Sequence, residues 1–106
     1  MSVWQASPVS VDPVKTATVW RIVRFVFEDG SQSDHIVGYF DSGRISSSLE
    51  LYDPKTNIAI TKSGRRYKLP VDAIGKHHSA EYVKEVWKGH HSVVSEEDVS
   101  DLYVLG

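Results

Sequence analysis

Between residues 18 and 69 apolar and polar positions alternate in short runs, each closed by turn-forming residues. Thr18 to Glu28 is the strongest run. Val19, Val23, Phe25 and Phe27 fall on one face with Arg21, while Trp20, Ile22 and Val26 fall on the other with Arg24. Two apolar faces predict a central strand covered on both sides. Glu28 to Asp34 is rich in Gly, Ser and Asp and reads as a turn. His35 to Asp41 predicts a second strand, with Ile36, Gly38 and Phe40 opposed to Val37 and Tyr39. Arg44 to Tyr52 predicts a third, with Ile45, Leu49 and Leu51 toward the core and Arg44, Ser46, Ser48 and Glu50 toward water. Ile58 to Leu69 predicts a hairpin turning at Ser63-Gly64, because glycine takes a positive φ at no steric cost.

The period changes after Pro70. Ser79 reads as an N-cap, Ala80, Val83, Val86 and Trp87 recur at helical spacing, and Gly89 stands where a helix-ending glycine belongs. The opposite face carries Glu81, Lys84, Glu85 and Lys88 and is expected to meet solvent. A short last helix is expected after Ser95, with Glu96, Glu97 and Asp98 in its first turn and Leu102 and Tyr103 docking it. Residues 1–16 hold no period and predict an irregular arm with Trp4 as its large anchor.

The expected architecture is α+β in a single domain. A five-stranded antiparallel meander over 18–69, strongly curved or barrel-like, is packed by one amphipathic C-terminal helix and a short terminal helix within 79–104. The expected core is Val19, Ile22, Val23, Phe25, Phe27, Phe40, Leu49, Leu51, Ile58, Ile60, Leu69, Val83, Val86 and Trp87.

Composition narrows the chemistry. At 106 residues there is room for one core. The formal net charge of −2 excludes a uniformly basic polyanion-coating protein, although a local patch can still act. The absence of cysteine removes disulfides, thiolate metal sites and thiol nucleophiles, and points to the cytoplasm. No apolar run has the roughly 18 residues of a membrane span, and the first residues lack the order of a secretory signal.

Four groups of residues carry candidate chemistry. Lys55, Lys62, Arg65, Arg66 and Lys68 crowd the stretch 54–71, which has no acid. With Tyr67 and Tyr52, Lys62, Arg65, Arg66 and Lys68 suit single-stranded nucleic acid, by phosphate contacts and base stacking. Alternation puts Tyr67 with Leu69 in the core, and edge lysines also guard strands against aggregation. Residues 28–53 hold six acids against Arg44 alone, a segment that would complement the hairpin. His77-His78 and His90-His91 flank the helix but are roughly 15 Å apart, poor spacing for one metal site. No phosphate loop, nucleophile elbow or zinc-protease helix occurs; Ser46 to Ser48 lie mid-strand, and Glu96 to Asp98 read as helix-opening charge. Finally, three Trp, five Tyr and three Phe exceed what one small sheet covers, and Trp and Tyr are favoured interface anchors.

The segment from Thr61 through Leu69, followed by Tyr82-Val83 and Trp87, resembles small bacterial accessory proteins carried on mobile elements. The resemblance covers under a third of the chain and implies no residue's role. The sequence therefore predicts a non-enzymatic cytoplasmic binding protein without a cofactor, metal, membrane partner or small-molecule substrate. It would engage another protein, or itself as a homodimer. The alternative is a nucleic-acid-binding small barrel. The partner-binding candidates are Lys62, Arg65, Arg66, Lys68, Tyr39 and Tyr52.

Overall fold

The computed structural model describes residues 14–104. The elements in chain order are β1 (Lys15–Thr16), β2 (Val19–Phe27), β3 (Gln32–Tyr39), β4 (Gly43–Asp53), β5 (Ile58–Thr61), β6 (Arg66–Lys68), a 3-10 turn (Val71–Ala73), α1 (His78–Gly89), β7 (Val93–Asp98) and α2 (Ser100–Val104). The sheet order is β1-β6-β5-β4-β3-β2-β7. The expected meander runs through it as β2 to β6, each strand antiparallel to the next. Two further strands raise the count among the described residues from five to seven: β1 pairs parallel to β6, and β7 pairs antiparallel to β2. The result is α+β, a strongly curled half-barrel with two helices. No helix is long and apolar enough to cross a membrane among the described residues.

As its two apolar faces require, β2 lies between two clusters. Trp20 and Ile22 join Ile36, Ala59, Tyr67, Leu69 and Val99 inside the curl. Val23 and Phe25 join Val37 and Ala80 beneath α1, with Phe27, Ile45, Trp87 and Val93 packed around them. Trp20 is fully buried, and its indole N–H donates to the Pro70 carbonyl at 2.7 Å.

The curl is made in β4. Its ladder shifts register against β3 between His35 and Val37, and again against β5 between Leu49 and Leu51. Bulges of this kind bend a strand and increase its twist. Ser46 to Ser48 occupy the first irregularity, where alternation had read them as ordinary mid-strand residues. Ser46 Oγ accepts from the Ile36 backbone N–H at 2.9 Å, and Ser47 Oγ accepts from the Ser63 N–H at 3.2 Å, so hydroxyls replace missing ladder bonds.

The second shift splits the face predicted for Ile45, Leu49 and Leu51. Leu49 stays against the inner cluster while Leu51 is left 63 % exposed. The hairpin is also reversed in phase: β5 buries Ala59 and Thr61, and Ile58 and Ile60 are only half-buried. On β6 the expected burial of Tyr67, and of Leu69 just beyond it, holds. Gly64 takes φ +88° in the turn, as the tight reversal requires.

Two further expectations are corrected. Residues 93–98 form β7 rather than a helix. Pairing with β2 supplies their backbone bonds and aims the Glu96 carboxylate at Lys84 and Lys88 of α1. The final helix starts only at Ser100, whose N–H donates to Asp98 Oδ1 at 2.9 Å. At the other end, Lys15 and Thr16 leave the predicted arm to form β1; the remainder of that arm through residue 13, with Trp4, lies outside the described residues.

Candidate functional site

Helix α1 lies across β3 and β4, and its orientation is the structure's main departure from the amphipathic pattern. His77, not Ser79, caps its start; the His77 ring Nδ1 accepts from the Ser79 N–H at 3.2 Å. Gly43 lets the first turn sit directly on β4, since a Cβ there would lie 2.5 Å from the Ser79 carbonyl carbon. At the far end the helix closes through His90 N–H to Trp87 O and His91 N–H to Lys88 O. The left-handed position falls on Ser92, at φ +54°, rather than on Gly89.

The side of α1 that meets the sheet is Ala80, Lys84 and the flank of Trp87. Lys84, expected in solvent, is 5 % exposed. Its ammonium lies 3.0 Å from Glu81, 3.3 Å from Glu85 and 2.7 Å from Glu96. Arg21, buried on β2, forks onto Glu81 at 2.9 and 2.7 Å and reaches Asp98 at 3.4 Å. Lys88 joins Glu96 and lies 3.5 Å from Glu85. Three cations and four carboxylates thus form one network between α1, β2 and β7. Such groups tolerate burial only when paired and hydrogen-bonded.

Titration reflects the pairing. The hydrogen bond from Arg21, helped by Lys84, holds the Glu81 carboxyl at about 2. Burial alone would lower the Lys84 pKa, but hydrogen bonds to Glu96 and Glu81 outweigh it and raise it. Burial would raise Glu96, and the bonds from Lys84 and Lys88 hold it below the usual carboxylate range instead.

With its charges turned inward, α1 presents an apolar stripe outward. Tyr82 is 72 % exposed and Val86 45 % exposed, although Val83 and Val86 were expected in the core. Beside the stripe runs an open groove of about 410 Å³, lined by Ile45, Tyr82, Val83, Val86, Trp87, His90 and His91. Trp87 floors it, stacked on His91 at 4.0 Å and packed against Phe25 at 5.0 Å.

The residues singled out from the sequence do not form one site. Lys62 and Arg65 are exposed at the β5–β6 turn. Arg66 and Lys68 stand on the outer face of β6, Arg66 beside Leu51, Ile58 and Ile60 around an open groove of about 340 Å³. The aromatic candidates are engaged elsewhere. Tyr67 is buried. Tyr52 donates to Asn57 Oδ1 at 3.0 Å and meets Tyr103 edge-on. Tyr39 stacks on His77 at 4.2 Å, beside the start of α1 and at the opposite end of β4 from the hairpin. Two acids of the 28–53 stretch are engaged away from the hairpin: Asp34 is held by Arg24 at 2.8 Å, and Asp41 by Lys15 and Arg44 at 2.9 and 3.2 Å.

The histidine pairs remain apart, at the two ends of α1, with His77 stacked on His78 at 4.5 Å. No group of three or more His, Asp or Glu side chains that could hold a metal occurs among the described residues. A Ser–His pair went unnoticed in the sequence because nothing in an i, i+2 spacing on a strand distinguishes it. Ser33 Oγ lies 2.7 Å from His35 Nε2, and His35 Nδ1 is 2.8 Å from the Ser46 carbonyl, to which it donates. Burial between Phe25 and Trp87 pushes the His35 pKa down. With both nitrogens bonded, His35 is a satisfied core histidine.

No protein-family model matches the chain, and comparison with curated proteins and with solved structures finds no match, so its function is read from its own residues.

Proposed function

We propose that this is a non-enzymatic interaction protein, working in the cytoplasm, whose docking face is the outer side of α1. One observation carries the reading: the helix directs Lys84 and Glu81 toward the sheet and turns Tyr82 and Val86 outward, with Val83 half-buried beside them. Its amphipathic pattern predicted the reverse. An exposed apolar stripe beside a groove floored by an aromatic ring is what a protein partner covers. The inward network is already satisfied, so nothing in the fold requires the stripe to be buried by a different docking of α1.

Photo-crosslinking tests this reading. Benzoylphenylalanine in place of Tyr82 should give discrete protein adducts in cells, with another protein or with the chain itself. A probe in place of Leu102, exposed on α2, should not. Equal labelling from both positions, or none from position 82, would remove the reading.

A second reading rests on the hairpin. Lys62, Arg65 and Lys68 are exposed and make no ion pair among the described residues, which suits phosphate contacts to nucleic acid. With its aromatic rings engaged elsewhere, binding would be electrostatic and steeply salt-dependent. Fluorescence anisotropy of mixed-sequence oligonucleotides at two salt concentrations, with Arg65→Glu/Lys68→Glu beside the wild type, decides it. Binding that weakens with salt and is lost in the variant supports it; no binding at low salt retires it.

A further inference from the structure

We infer that the occupant of the outer α1 face is a second copy of the chain, paired helix to helix about a two-fold axis at Val86. The inference rests on the reading of α1 as a docking face and adds the identity of the partner.

The outward stripe is Ser79, Tyr82, Val83, Val86, Gly89 and His90, which share one side of a helix at 100° per residue. It contains no Asp, Glu, Lys or Arg. A strongly charged partner finds no counter-ion on it, whereas a second copy meets no like charge along the seam. Glu85, at the border, lies 3.3 Å from Lys84 and 3.5 Å from Lys88 of its own helix, so its charge is met before a second copy arrives.

The stripe is also complementary to itself in size. An antiparallel arrangement about a two-fold axis at Val86 sets Val86 against Val86 of the second copy. Positions equally far from 86 on opposite sides come to the same height. Tyr82, the largest side chain of the stripe, thus comes level with His90 of the second copy and Val83 level with its Gly89. Because the two-fold axis keeps each residue on its own flank of the seam, Tyr82 shares a flank with Gly89 of the second copy, about 1.5 Å from it in height, and Val83 shares the other flank with its His90. A Cβ at Gly89 would meet nothing within 4 Å, so the space for the tyrosine ring is open. An isologous contact repeats the Tyr82–Gly89 and Val83–His90 pairs twice and holds Val86 against its own mate once.

Size sets the strength. A twelve-residue helix is about 18 Å long. One helix face of that length buries less than the ~800 Å² per partner of a standard stable interface. The dimer should therefore be reversible and micromolar rather than nanomolar.

Sedimentation equilibrium of the full chain, over a wide concentration range, tests the inference. The wild type should pass from monomer to dimer as concentration rises. Val86→Glu and Gly89→Phe should each weaken association at least tenfold, with unchanged circular dichroism and urea midpoint showing that the monomer still folds. Tyr82→Ala/Gly89→Phe exchanges the large and small partners and should recover much of the association lost in Gly89→Phe. A chain that stays monomeric to its solubility limit overturns the second copy as occupant. So does a dimer that both single variants leave intact. Crosslinks from position 82 to a different protein, with a monomeric chain, would keep the docking face and remove this partner; no crosslink at all would remove both.

Discussion

Lys84 decides which way α1 faces. Its ammonium is met by three carboxylates, and it takes the inward position that an aliphatic residue would fill in an ordinary amphipathic helix. Two pH effects follow at this scale, in separate windows. Glu81 is held at about 2 against an ordinary 4.5, so its contribution is complete above about pH 4.5 and is lost as pH falls toward 2. Glu81→Gln should lower the urea midpoint at neutral pH and flatten the decline between about pH 5 and pH 3. His35 acts earlier. Burial holds its pKa below the ordinary 6.5, so the unfolded chain takes up the proton first and stability falls as pH drops through that region. His35→Asn should remove the slope that sets in as pH falls below about 6.5 and cost about 1–2 kcal/mol in the lost hydrogen bonds. Chemical denaturation across pH checks both; an unchanged slope in either variant contradicts the assignment.

Individual elements were legible in the sequence wherever period and burial agreed. The central strand with two apolar faces, the hairpin turn at Gly64, and the helix ending near Gly89 all appear where the pattern put them. The failures are failures of phase. Bulges in β4 carry Leu49 and Leu51 to opposite sides, and alternation counted along one strand cannot register an inserted residue. The segment 93–98 opens with Val93-Val94, but its three acids looked like the first turn of a helix. Only the positions of Lys84 and Lys88 on another element show why Glu96 belongs on a strand. The bulge itself is testable. Ser46→Ala removes the acceptor of the Ile36 N–H and should cost about 1–2 kcal/mol. Gly43→Val would drive a side chain into the backbone of α1 at Ser79 and Ala80. It should speed amide exchange throughout the helix while leaving β5 and β6 protected; uniform protection in the variant would show that the helix does not rest on Gly43.

At the scale of the whole molecule, the half-barrel closes its inner cluster without help from α1's aliphatic residues. That leaves the helix free to serve as a surface. The candidate hairpin cations were legible as a cluster, because they are contiguous in sequence. The α1 face was not, because its residues were assigned to the core on periodicity that is correct for a helix but silent about which side is down. The decision comes from Arg21, Glu96 and Asp98, sixty or more residues from Arg21 to its acidic neighbours along the chain, and no local pattern contains it.

The most direct test compares Lys84→Ala with Val86→Asp by urea unfolding at neutral pH, at concentrations too low for self-association. With α1 turned charge-inward, Lys84→Ala removes the buried cation shared by Glu81, Glu85 and Glu96, leaving Glu81 to Arg21 and Glu96 to Lys88, and should cost about 2–4 kcal/mol. Val86→Asp changes an exposed position and should stay within about 0.5 kcal/mol of the wild type. The opposite order, a mild Lys84→Ala and a severe Val86→Asp, would mean that the aliphatic side of α1 is the buried one, and the docking face would go with it.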